Sequence, residues 1–212
     1  SRGLGDVYKR QILKLLFMKF LFDLGGVFFD WHPTYFYKTI FSNNDDLDYF
    51  LNNICNDEWN IKQDAGRLIQ DAEDDLISLH PKYENEIRMY YKNHRKMLRG
   101  TFPKSIEILE TLKKKQYKCY VLSNWSSETF QGMEDDYPFL KIFDGLIISG
   151  KEKMIKPNKE IYNLAKTRFN LTFPETVFID DRIENIETAK ELGFNTVPVS
   201  YTHLRAHETK WH

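Results

Sequence analysis

Lys19-Phe20-Leu21-Phe22-Asp23-Leu24-Gly25-Gly26-Val27 is an apolar run that stops at a carboxylate and two glycines. A short apolar run bounded by turn residues reads as a buried strand. Asp23 therefore stands at a strand tip. The next residues, Val27-Phe28-Phe29-Asp30-Trp31, are again extended or turn-like, and His32-Pro33 closes them.

Beyond Pro33 the period changes. Tyr37, Ile40 and Phe41, then Leu47, Phe50, Leu51 and Ile54, then Leu68, Ala72, Leu76 and Leu79, then Ile87 and Tyr91 recur at helical spacing. This predicts a block of about four helices reaching to about residue 99. After Gly100 short apolar runs return: Tyr120-Val121-Leu122, Leu146-Ile147-Ile148, Val177-Phe178-Ile179 and Asn195–Val199 read as strands. Helical stretches separate them, one opened by Pro103, one over 157–169, and one over 183–192 stopped by Gly193. Strands alternating with helices predict an α/β fold, a parallel Rossmann-like sheet with right-handed crossovers. Ligands of such sheets lie outside the carboxyl ends of the strands. Asp23, Ser123 and Asp180 mark three of those ends.

Composition narrows the function. The 212 residues carry 30 Lys+Arg against 31 Asp+Glu, a net charge of −1, which argues against a broad nucleic-acid surface. Two cysteines, Cys55 and Cys119, make neither a disulfide framework nor a four-ligand zinc site. Both are expected reduced, in a cytoplasmic protein. No apolar run reaches the ~18 residues of a membrane span, and Lys19 and Asp23 interrupt the nearest, so neither a membrane segment nor a signal peptide is expected. Residues 1–11 and 201–212 have no clear period and resemble translated adaptor sequence. They are read as non-native flanks, with Met18 as the natural start and the natural C-terminus beyond the chain. Ordinary frayed termini are the alternative.

Four segments now stand in order: Phe22-Asp23-Leu24-Gly25-Gly26-Val27, Val121-Leu122-Ser123-Asn124, Lys156-Pro157-Asn158, and Phe178-Ile179-Asp180-Asp181 with Asn185. Together they resemble the haloacid dehalogenase superfamily of hydrolases, over about residues 18–199. The helical block resembles the inserted cap of its C1-type members. The resemblance implies a core over 18–31 and 100–199 with a cap over 32–99.

It also implies roles. Asp23 matches the nucleophile, whose carboxylate forms a covalent aspartyl intermediate. Ser123 matches the hydroxyl that binds the phosphoryl group, with the Asn124 amide beside it; a plain helix N-cap is the other reading of both. Lys156 matches the lysine that steadies the nucleophile and the phosphoryl oxygens. Asp180 and Asp181 match the acidic motif that holds Mg²⁺, with Asp23 and the Gly25 carbonyl completing the set. Like charges ~4 Å apart repel by about 4 kcal/mol at an effective dielectric near 20, which a divalent ion offsets. Asn185 reads as a bridge from the loop to the following helix. In the cluster Asp57–Arg67, Arg67 is positioned to reach a substrate anion and Trp59 to shape the pocket, unless the cluster is only a solvated helix–helix turn. Trp125 is either pocket floor or core. His32, His80 and His94 lack metal-ligand spacing and are expected at the surface.

One position departs from the pattern. Phosphatases of this superfamily commonly carry a second Asp where this chain has Gly25. Its carbonyl can still bind magnesium, but no side chain is there to protonate the leaving oxygen, a contribution of ~10²–10⁴-fold. The resemblance thus implies a Mg²⁺-dependent phosphatase of a small phosphorylated metabolite. A cofactor-independent 2-haloacid dehalogenase and a non-catalytic binding module are the alternatives. Dehalogenases also lack the second Asp, but they usually replace one member of the Asp180-Asp181 pair.

Overall fold

The computed structural model describes residues 18–200. The readings of 1–11 and 201–212 as flanks fall outside the described residues. Among these, seven strands occur: β1 (Lys19–Phe22), β2 (Phe29–Trp31), β3 (Leu98–Thr101), β4 (Lys118–Ser123), β5 (Gly145–Ile148), β6 (Thr176–Asp180) and β7 (Asn195–Pro198). Five form one parallel sheet in the order β5-β4-β1-β6-β7. The chain fills one side of central β1 with β4 and β5, then crosses to β6 and β7. The ends of β1, β4 and β6 consequently meet at the reversal, where such sheets bind ligands.

The central strands of the sheet are buried on both faces, as their unbroken apolar runs require. Side chains alternate strictly. Phe22, Val121 and Ile179 pack with Phe28, Leu109 and Phe143 on one face. Leu21, Leu122 and Phe178 pack with Ile161, Tyr162 and Ile186 on the other. A fully buried side chain of this size contributes roughly 1.5–3 kcal/mol, so register within the sheet is tightly held.

Residues between β2 and β3 form a helical insertion with a core of its own, built on Tyr37, Phe50, Trp59, Ala72 and Tyr90. Its helices are α1 (Thr34–Tyr37), α2 (Asn44–Asn53), α3 (Asp57–Asp64), α4 (Ile69–Leu79) and α5 (Glu84–Lys92). About four were expected from the periodicity; α3, whose residues carry no apolar period of that kind, is the addition. Asn56 opens α3, its side chain accepting the Trp59 N–H at 2.8 Å. Gly66 follows that helix with φ +93°, a left-handed conformation that suits glycine. The two chain crossings between insertion and sheet run side by side, because β2 and β3 pair antiparallel. β3 begins inside the stretch read as helical. Its pairing with β2 across the insertion stabilises it, and no local period records that.

The remaining helices are α6 (Pro103–Lys114), the short α7 (Ser127–Phe130), α8 (Met133–Asp136) and α9 (Ser149–Glu152), then α10 (Lys159–Arg168) and α11 (Ile183–Leu192). Among the described residues no helix is long and apolar enough to cross a membrane.

Candidate active site

Asp23 follows β1, and its N–H donates to the Ile179 carbonyl at 2.8 Å. That bond continues the β1–β6 pairing and sets Asp23 beside Asp180. Between them lies Lys156, only 1% exposed, with its Nζ 2.8 Å from Asp23 Oδ1 and 2.6 Å from Asp180 Oδ2. Burial works against the ammonium, but Asp180 and Asp23 outweigh it and hold Lys156 above its ordinary value. The Lys156 main chain is held as well. Asn124 Nδ2 donates to its carbonyl and Asn124 Oδ1 accepts its N–H, each at 2.9 Å. The β4 end thereby fixes where the lysine enters.

Asp180 Oδ1 accepts the Arg182 N–H at 2.9 Å, and Asn185 Nδ2 donates to both Asp180 oxygens at 3.0 and 3.1 Å. Asn185 bridges the loop to α11, as its position in the sequence suggested. Ser123, at the end of β4, keeps its hydroxyl buried beside the Asp23 carboxylate without a well-formed hydrogen bond. A buried hydroxyl with free capacity costs stability unless a ligand uses it.

Asp181 completes the cluster. One oxygen each from Asp23, Asp180 and Asp181 lie within 4.8 Å of one another. Burial pushes Asp181 up to about 7, and Asp23 and Asp180 push the same way against Lys156. Burial also raises Asp23, against the pull of Lys156 and with a push from Asp180. Three carboxylates face one ammonium, so the cluster carries excess negative charge. Hard oxygen donors converging with unbalanced charge fit a small divalent cation such as Mg²⁺.

Above these groups a cavity of about 350 Å³ separates the sheet edge from the insertion. Helix α3 lines it with Asp57, Asn60, Ile61 and Asp64. Their spacing of three, four and seven residues from Asp57 puts them on one helical face. Trp59 and Gln63 point the other way and are buried. A polar stripe at helical spacing is the sequence signal that singles out Asp64 within the Asp57–Arg67 cluster. Arg182 also lines the cavity and was not foreseen.

Three readings are corrected. Arg67 does not line the cavity; it turns to α4, pairing with Asp75 and donating to the Asp71 carbonyl at 3.1 Å. His94 is not a surface residue: it is 8% exposed and lines a smaller chamber of about 70 Å³ with Trp31, Asn60, Asp64, Asn124 and Trp125. Trp59 belongs to the core of the insertion. Trp125 packs edge-on against Phe29 and Phe130 and lines that chamber, so it is core and wall at once.

A family model described as haloacid dehalogenase-like hydrolase matches residues 46–199. The chain belongs to this family. It is 28% identical to a sesquiterpene phosphatase of Aspergillus oryzae over 82% of this chain and 85% of that one. It is 27% identical to an (S)-2-haloacid dehalogenase of Burkholderia cepacia over 54% of each chain. A haloacid dehalogenase family enzyme of Bacteroides thetaiotaomicron, solved as a magnesium complex, superposes with a TM-score of 0.67 at 23% identity, covering 89% of this chain and 98% of that one. That likeness is one of fold. The family membership makes the chain a hydrolase and leaves the choice between phosphate ester and haloacid to the chemistry of the site.

Proposed function

We propose that this hydrolase is a Mg²⁺-dependent phosphatase of a small phosphorylated metabolite, acting through an aspartyl-phosphate on Asp23, with residues 32–99 serving as the cap over a core of 18–31 and 100–199. The observation that carries the reading is the carboxylate cluster. Asp23, Asp180 and Asp181 converge within 4.8 Å against the single ammonium of Lys156. Without a cation, two neighbouring acids repel the charge that Asp23 needs for attack. Asp23, Asp180, Asp181 and the Gly25 carbonyl would hold Mg²⁺, which would neutralise those carboxylates and the incoming phosphate.

The chain's own residues do the rest. Asp23 attacks phosphorus on the side opposite the leaving oxygen. Lys156 keeps the attacking carboxylate in place and steadies the phosphoryl oxygens, and the Ser123 hydroxyl donates to one of them. Asn124 acts on the phosphoryl group through Lys156, whose backbone it clamps. Water then cleaves the aspartyl-phosphate and restores Asp23.

The cavity volume, about 350 Å³, lies at the small end for ligand pockets. Asp57 and Glu58 on its α3 side disfavour a second anionic group on the substrate. This supports a small, hydroxyl-bearing alcohol as the leaving group.

Gly25 favours the dehalogenase as a second reading, because a halide leaves without a proton. The deciding assay is a panel of phosphate monoesters and 2-haloacids with Mg²⁺ and with EDTA. Phosphate release that EDTA stops and Mg²⁺ restores is expected. Halide release undiminished in EDTA would reverse the assignment.

A further inference from the structure

The core offers no side-chain acid at position 25, and the cavity wall opposite Asp23 supplies one. Asp64 is the last residue of α3 and lines the cavity together with Asp23, Asn124 and Lys156. It is pinned to the core from both sides. Its carbonyl accepts the Ser149 hydroxyl at 2.6 Å, and the Ser126 N–H lies close enough to its carboxylate to favour the charged form. The turn after it presses on the start of α9: a β-carbon on Gly66 would lie 3.0 Å from the Gly150 carbonyl oxygen. Asp64 is thus fixed relative to the sheet edge although it belongs to the insertion.

In-line displacement puts the leaving oxygen opposite the nucleophile. With Asp23 at the sheet edge, that oxygen points toward α3. We infer that Asp64 is the leaving-group acid of this hydrolase, delivered by the insertion in place of the side chain absent at Gly25; the inference rests on the phosphatase reading above. In the first step the Asp23 oxygen bonds to phosphorus, the bond from phosphorus to the leaving oxygen breaks, and that oxygen takes the Asp64 proton. Asp64 is left as a carboxylate. In the second step water attacks phosphorus, Asp64 takes a proton from that water, and the bond from phosphorus to Asp23 breaks. Both carboxyl groups return to their starting states.

The surroundings of Asp64 favour its protonated form compared with an ordinary carboxyl. Burial pushes its carboxyl up to about 7, opposed by the Ser126 N–H and by Arg182 at the start of α11, and reinforced by Asp23 from β1 and Asp57 from its own helix. The hydroxyls of Tyr90 and Tyr91 on α5 also feel its charge, and His94 shares the small chamber with it.

The test compares wild type and Asp64→Asn on β-glycerophosphate, whose alcohol leaves poorly, and on p-nitrophenyl phosphate, whose phenolate leaves without a proton, all with Mg²⁺. The loss of kcat/KM on the alkyl ester should exceed the loss on the nitrophenyl ester by about 10²-fold. In the wild type, alkyl-ester turnover should fall as pH rises through about 7, with no such limb for the nitrophenyl ester. This second comparison needs no variant and stands even if Asp64→Asn folds poorly. Equal losses on both esters, or wild-type profiles of one shape, overturn the role of Asp64 while leaving the phosphatase in place. A wild type that releases phosphate from neither ester overturns both.

Discussion

A β-carbon on Gly26 would lie 2.1 Å from Asp181 Oδ2 and 2.4 Å from its Cγ. The glycine in the loop after β1 and the acid that directly follows β6 are fitted to one another, and Gly26 also has φ +63°. Gly26→Ala therefore faces both a backbone cost of roughly 1–2 kcal/mol and a displaced Asp181. The expected result is a lower denaturation midpoint together with a higher Mg²⁺ concentration for half-maximal activity. Gly25→Ala is the comparison for stability, since its β-carbon would meet only Asp23 Oδ2, at an ordinary 3.8 Å, without a left-handed φ. Its change should stay within about 0.5 kcal/mol. Equal destabilisation by both substitutions would mean that the contact with Asp181 is not what requires glycine.

The open space at Gly25 makes a second variant informative. Gly25→Asp places a carboxyl at that position, where a β-carbon meets only Asp23 Oδ2 at 3.8 Å. In an Asp64→Asn background it should raise alkyl-ester kcat/KM by up to about 10²-fold. In the wild-type background the gain should be smaller, because Asp64 already donates the proton. A gain that is the same in both backgrounds would show that the two carboxyls do not serve the same oxygen.

His94 ties stability to pH. Burial, with Arg95 adding, lowers its imidazole to about 3 from an ordinary 6.5. The folded protein keeps the ring neutral while the unfolded chain protonates it. The stability associated with a neutral His94 is therefore intact above about pH 6.5 and is lost as pH falls toward 3. The slope is about 1.4 kcal/mol per pH unit for one proton. His94→Phe keeps an aromatic ring against Trp31 and Trp125, whose centroids each lie 5.7 Å away. Denaturant titrations from pH 7 to 4 should show a shallower acid decline for the variant. Parallel declines would place the acid sensitivity in other groups.

The sheet was legible because its strands are short apolar runs that end in chemistry-bearing residues. Asp23, Ser123 and Asp180 stand at strand tips in the sequence pattern alone, and the topology brings those tips together. The groups that face them were not legible to the same degree. Asp64 reaches the cavity because α3 lies across the sheet edge, a relation set by contacts between Ser149 and Gly66 and their distant neighbours. Arg67 was misplaced because the direction of a chain after a left-handed glycine is not written in the neighbouring residues. His94 looked like a surface residue because Trp31 and Trp125, which cover it, come from either side of the insertion in sequence. Long-range packing decided each of these, and local periodicity does not encode it.

The central claim is that Asp23 becomes phosphorylated during turnover. Rapid acid quench of the enzyme with p-nitrophenyl phosphate and Mg²⁺, followed by peptide mass analysis, measures this directly. A phosphoryl group on the peptide containing Asp23, discharged by hydroxylamine and missing in Asp23→Asn together with the activity, is the predicted result. Turnover with no phosphoryl adduct, or with the adduct on another residue, would contradict the account.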